Sequence, residues 1–96
     1  MNKGYYAIIP ANVRYDKDLP ANAKLLYGEI TTLRDDNGCC WASNSYFGNL
    51  YGVSNKSVSR WIKALVDKGY ITSEIVYKEN TKEIIHRCIK VLGSLD

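Results

Sequence analysis

Apolar residues Ala23, Leu26, Ile30 and Leu33 recur at three- and four-residue intervals, the spacing of one face of an α-helix. Pro20 precedes them, near a first helical position where its missing N–H costs little. The run ends at Asp35-Asp36-Asn37-Gly38. A second stripe, Val58, Ile62, Leu65 and Val66, widened by Trp61, predicts a helix from Ser54 to Lys68-Gly69. Between the two, Ser43 is placed to cap a short helix that contains Phe47 and Leu50 and stops at Tyr51-Gly52. Elsewhere the pattern is that of strands. Tyr5 to Ile9 is β-prone and is stopped by Pro10, Cys39-Cys40-Trp41 makes a second short strand, and Tyr70 to Tyr77 and Glu83 to Leu92 form a hairpin. The polar run Lys78-Glu79-Asn80-Thr81-Lys82 joins the hairpin strands. The order is strand, helix, strand, helix, helix, hairpin. It predicts an α+β fold: a winged helix-turn-helix with three helices, a small antiparallel sheet and a β-hairpin wing, in one domain over residues 1–96.

The stretch from Phe47 to Ile62 carries the most information. Two helices that cross steeply on a short turn need a very small residue where their backbones approach, and Gly48 supplies it. The turn needs a residue that accepts positive φ, and Gly52 follows four positions later. Val53 can then plug the core, and Ser54 can cap the next helix. On that next helix, at about 100° per residue, Lys56, Ser59, Arg60 and Lys63 fall together on a face away from the apolar stripe, with Asn55 and Ser57 at the N-terminal end. Such a division fits a recognition helix: the stripe holds it to the body while polar and basic side chains face a major groove.

Charge adds a direction to this picture. Through Asp36, Lys3, Arg14, Lys17, Lys24 and Arg34 balance Asp16, Asp18, Glu29, Asp35 and Asp36, so the whole net charge of +3 lies in the remainder of the chain. A basic C-terminal portion points to a polyanionic partner. The candidate DNA contacts on the recognition helix (54–68) are Ser54, Asn55, Lys56, Ser57, Ser59, Arg60 and Lys63. On the wing (77–83 and its strand) they are Lys78, Asn80, Lys82 and Arg87, placed for the phosphate backbone or the minor groove. The expected partner is double-stranded DNA. The alternatives are a transcriptional regulator and a winged helix used for self-association with weak DNA binding, for which Tyr5 and Tyr6 on an end strand are the candidates. The other tyrosines fit structural roles better than a stacking platform for single strands.

Other chemistries are excluded by what is missing. The sequence has no paired-carboxylate signature, no phosphate loop and no evident cysteine–histidine pair, so neither an enzyme nor a cofactor is expected. A zinc site needs four ligands, and His86 is the only histidine. Cys39, Cys40 and Cys88 are odd in number and two are adjacent, which implies no disulfide framework; reduced, partly buried thiols are expected. No apolar run approaches the roughly 20 residues of a bilayer span, and Ala7-Ile8-Ile9 is too short for a signal-peptide core. A cytoplasmic protein without membrane partners is expected.

Three segments carry a family resemblance. Tyr6-Ala7-Ile8-Ile9-Pro10-Ala11-Asn12-Val13-Arg14-Tyr15-Asp16, Ala23-Lys24-Leu25-Leu26-Tyr27-Gly28-Glu29-Ile30 and Gly38-Cys39-Cys40-Trp41-Ala42-Ser43-Asn44 resemble the helix-turn-helix domains of phage and plasmid replication initiators of Gram-positive bacteria. These are often found at the start of DnaD-like replisome organisers. The resemblance covers the chain to about Leu92 and implies a winged helix that binds an origin-like site. It also implies that a full initiator continues past residue 96 and recruits helicase-loading proteins through that further region. Gly48 departs from the pattern, because alanine is usual at that position.

Overall fold

The computed structural model describes residues 6–92, apart from the side chains of residues 84 and 85. Four helices are followed by a hairpin: α1 (Ala11–Arg14), α2 (Ala21–Thr32), α3 (Asn44–Tyr51), α4 (Asn55–Asp67), β1 (Ile71–Tyr77) and β2 (Ile84–Val91). This is an α+β winged helix-turn-helix, with one helix more than the sequence pattern predicts. The addition, α1, is a single turn that seats Val13 in the core, too short to show a helical period. Pro20 is the N-cap of α2 rather than a residue within it, and α2 ends at Thr32, before the expected Asp35. The Thr31 and Thr32 hydroxyls donate back to the carbonyls of Gly28 (2.6 Å) and Glu29 (2.8 Å) in its last turn.

The core lies where α2, α3 and α4 meet the base of the hairpin. Leu26, Ile30, Phe47, Val58, Leu65, Ile71 and Ile89 are all essentially removed from solvent there. Val66, assigned to the apolar stripe by the sequence pattern, is exposed instead. It sits about 80° from Val58 around the helix, on the shoulder that adjoins Ser59.

Residues 6–9 do not form the expected first strand, and Tyr5 lies outside the described residues. A strand needs a partner, and this segment packs on a helix instead. Gly28 of α2 is buried, and a Cβ there would come within 3.1 Å of Ala7 Cβ and 3.2 Å of Ile9 Cγ1. The lack of a side chain at Gly28 is what lets the N-terminal segment lie close against α2.

Among the described residues the sheet proper has two strands, β1 and β2, paired antiparallel from Ile71↔Val91 to Tyr77↔Ile84. The expected short strand at Cys39-Cys40-Trp41 reduces to one bridge, in which Cys40 N–H donates to Ile89 O (2.9 Å) and Ile89 N–H donates to Cys40 O (3.0 Å). Beside it, the expectation of three reduced thiols fails: Cys39 and Cys88 form a disulfide with Cα atoms 5.2 Å apart. Adjacent side chains of an extended segment point to opposite sides. Cys40 therefore enters the core as a free thiol, its pKa pushed up by burial, while Cys39 meets β2.

Candidate nucleic-acid interface

The helix-turn-helix is assembled by the residues the turn geometry demands. Gly52 ends α3 in the left-handed region at φ 69°, which costs a residue without Cβ nothing. Val53 N–H then donates to Gly48 O at 2.9 Å. A Cβ on Gly48 would stand 2.8 Å from Val53 O and 3.1 Å from Asn55 Oδ1, so the crossing of α3 and α4 leaves no room for alanine unless the turn moves. Both caps form as expected: Ser43 Oγ accepts from Tyr46 N–H (3.0 Å), and Ser54 Oγ accepts from Ser57 N–H (3.1 Å). Each satisfies a helix-end donor that has no partner within the helix.

From this scaffold α4 turns Val58, Trp61, Ile62 and Leu65 inward. Lys56, Ser59, Arg60 and Lys63 are all exposed on its outer side, as the periodicity predicts. They are not equivalent. Lys63 Nζ is paired with Asp67 Oδ2 at 2.8 Å, whereas Lys56 and Arg60 have no ion pair among the described residues. At the N-terminal end, Ser54 and Ser57 are engaged in the cap, with Ser54 Oγ–H donating to Ser57 Oγ at 3.2 Å. The Asn55 amide donates to Ser45 Oγ (3.1 Å), which ties α4 back to the first turn of α3.

The wing residues divide in the same way. Lys78, Asn80 and Lys82 are exposed at the tip, and Asn80 adopts φ 63° there. Lys78 Nζ stands 3.7 Å from Glu83 Oε1, a pair largely open to solvent; Lys82 has no ion pair among the described residues. Arg87 is elsewhere. Its Nη1 donates to Asn44 Oδ1 (2.6 Å) and its Nη2 to Ala42 O (2.8 Å), while Nε is buried with no hydrogen-bond partner among the described residues. Burial works against its charge and lowers its pKa. Arg87 is thus a tie between β2 and the start of α3, not a member of the exposed wing set.

Sequence reasoning missed two carboxylates that hold this arrangement. Asp35 Oδ1 accepts from the backbone N–H groups of Asn37 and Cys39 (both 2.9 Å), and Oδ2 accepts from Trp41 Nε1 at 2.7 Å, which shapes the loop into α3. Asp16 accepts from the Tyr70 hydroxyl and pairs with Lys68 (3.2 Å) at the end of α4. Hydrogen bonds to the charged form, led by Trp41 for Asp35 and by Tyr70 for Asp16, hold both carboxyls below the ordinary value of 3.8. Asp35 follows a helix and precedes Asn37-Gly38, a turn signal that could have flagged its role. Asp16 accepts locally from the Asp18 backbone N–H (2.9 Å), but Tyr70 and Lys68 lie more than fifty residues on, where no local signal reaches.

The helix-turn-helix domain family matches residues 17–71, which takes in α2, α3, α4 and the first residue of β1. No curated protein and no solved structure matches the chain. With more than half of its length matched, and with the turn glycine, the close crossing and the capped second helix all in place, the chain belongs to the helix-turn-helix domain family.

Proposed function

We propose that this domain binds double-stranded DNA, with α4 in the major groove and the wing tip on the backbone or in the minor groove. The observation that carries the reading is the outer face of α4, where Lys56 and Arg60 stand exposed and without ion pairs among the described residues, next to Ser59. Arg60 is the candidate for base contact, since an arginine can meet a guanine edge through two hydrogen bonds. Lys56, Lys63, Lys78 and Lys82 serve the phosphates, and Lys63 and Lys78 must give up their acidic neighbours to do so. Ser54, Ser57 and Asn55 present the N-terminal turn of the helix, whose backbone N–H groups favour an anion. No catalytic step and no cofactor belong to this reading.

Within it, the role we assign is that of the DNA-binding domain of a phage or plasmid replication initiator, acting on an origin-like site in the cytoplasm. The resemblance of the three segments before α3 supports that role over transcriptional regulation. Any recruitment of helicase-loading proteins would rest with a region beyond this domain.

A duplex-selection assay that includes DNA from the protein's own gene, titrated at two salt concentrations, tests the proposal. Salt-sensitive binding to a preferred duplex is expected. Arg60→Ala should cost about 1–3 kcal/mol and relax the preference, whereas Lys82→Ala should weaken all sequences alike. Unchanged binding by Arg60→Ala would remove α4 as the reading helix, and absence of duplex binding at low salt would remove the function.

A further inference from the structure

The free edge of the wing is unusual for an exposed strand. Among the described residues β1 pairs on one side only, with β2. Proteins normally blunt such edges with lysine, proline or a bulge. The strand from Ile71 to Tyr77 contains neither lysine nor proline, and the irregularity near its end lies in β2, where pairing steps from Val76↔His86 to Tyr77↔Ile84 and passes over residue 85. The edge of β1 is therefore regular throughout. It is also apolar. Ile75, Val76 and Tyr77 are 44%, 37% and 52% exposed, and Glu74 is the strand's only charge.

The backbone parity of the edge is fixed by the bonds already made. Ile89 uses both its backbone groups on Cys40, so its partner Ser73 directs its own N–H and C=O to the open side. Ile75 shares that direction two residues on. Lys78 N–H donates to Glu83 O, so Tyr77, one residue before it, also faces outward. Three residues, Ser73, Ile75 and Tyr77, thus offer backbone donors and acceptors in phase.

We propose that this edge pairs antiparallel with the same edge of a second copy of the chain, about a two-fold axis through Val76. In that register Ile75 lies opposite Tyr77 of the second copy and exchanges both backbone hydrogen bonds with it. Val76 meets Val76, and Glu74 lies opposite Lys78. The last two contacts fall at positions without backbone hydrogen bonds, where side chains approach most closely. The symmetry makes every contact off the axis occur twice, so two apolar pairs and two opposite-charge pairs flank a single central Val–Val contact. A shift of two residues along the edge in either direction loses the Glu74–Lys78 match. Lys78 would exchange its exposed partner Glu83 for Glu74, a swap between two solvent-exposed pairs. The proposal stands on the strand edge alone and does not depend on DNA binding.

Sedimentation of the chain over a concentration series, without DNA, tests it. A monomer–dimer equilibrium is expected, with E74K and K78E each weakening the dimer by about tenfold as opposite-charge pairs become like-charge pairs. An equimolar mixture of the two variants should associate as the unmodified chain does, because each then supplies the charge that the other lacks. The double variant E74K/K78E should also recover. Unchanged circular dichroism, and thermal midpoints that match at concentrations where every chain is monomeric, show that the fold of the single variants is intact. A chain that stays monomeric throughout the series overturns the proposal. So does a dimer indifferent to E74K, or a mixture that associates no better than either variant alone.

Discussion

In the body made by α2, α3 and α4, Leu26, Ile30, Phe47, Val58 and Leu65 are each essentially inaccessible to solvent. Among the described residues of the hairpin only the base is buried, through Ile71, Cys88 and Ile89, and every residue from Ser73 to Glu83 is exposed. The two regions are therefore held by different means. The body rests on apolar burial and close packing. The hairpin hangs on three adjacent ties to the segment leading into α3: the Cys39–Cys88 disulfide, the Cys40–Ile89 bridge and the Arg87 contacts with Ala42 and Asn44. Because all three ties end next to the helix-turn-helix, they set where the wing stands relative to α4. A candidate DNA surface that spans both regions depends on that placement.

The contrast is sharpest in substitutions that delete apolar side chains. Phe47→Ala should destabilise by about 3–5 kcal/mol, because it empties the junction of the three helices. Ile75→Ala, in the exposed part of the wing, should stay within about 0.5 kcal/mol at concentrations where the chain is monomeric. Urea unfolding monitored by circular dichroism separates the two. Similar costs would mean that the hairpin belongs to the same cooperative core, and the comparison would collapse.

The covalent tie comes next. Cys88→Ser opens a loop whose ends are 49 residues apart, and loops of this size are worth about 2–4 kcal/mol. A thiol reductant should lower the thermal midpoint of the unmodified chain and leave that of Cys88→Ser where it is. Amide exchange should quicken in β1 and β2 before it does in α2 or α4, since the body keeps its core. A midpoint insensitive to reductant would show that the pair does not bridge in solution.

The turn between α3 and α4 gives a smaller effect with an instructive sign. Alanine is the better helix former by about 1 kcal/mol, and by propensity alone Gly48→Ala would stabilise α3. The Cβ would stand 2.8 Å from a backbone oxygen, however, and the turn is short and tied at both ends. Overpacking of this kind costs about 1–3 kcal/mol, so a net loss of about 1 kcal/mol is expected in the same urea assay. A gain would mean that the helices separate readily, and the close crossing would lose its role in setting the angle of α4.

How legible each region was follows from the same contrast. Helical periodicity located α2 and α4, and the combination of Gly48, Gly52, Ser43 and Ser54 located the turn and both caps, because these are local requirements. The hairpin strands were also found, to within a residue or so at each end. What escaped was long-range. An arginine on a strand reads as exposed, and only the fold brings the carbonyl of Ala42 within reach of Arg87. The two adjacent cysteines read as thiols because an odd count hides a pair, although their opposite orientation leaves one of them open to a partner across the sheet. Tyr6 to Ile9 reads as a strand because β propensity says nothing about whether a neighbouring strand exists; Gly28 provided a helix surface instead.

The smallest effect concerns the loop that joins the two regions, and its sign follows from the acceptor role of Asp35. Its carboxyl is held below the ordinary 3.8 in the folded chain, chiefly by the Trp41 indole N–H and the Cys39 backbone N–H. A group depressed on folding contributes stability that is complete above its unfolded value and is lost as pH falls through the folded one. Stability should therefore decline as pH drops below about 4, when the carboxyl of the unfolded chain begins to take up a proton before that of the folded chain does. Asp35→Asn should be less stable than the unmodified chain near neutral pH, and the gap should narrow as the pH falls through this range. Asp16, held down by Tyr70 in the same direction, keeps its own share of the pH dependence in that variant. Urea midpoints measured across the acid range for Asp35→Asn, Asp16→Asn and the double variant separate the two shares. If Asp35→Asn runs parallel to the unmodified chain at every pH, the Trp41 and Cys39 contacts do not act through charge, and the loop into α3 owes its pH-independent hold to the disulfide, the Cys40–Ile89 bridge and the Arg87 contacts.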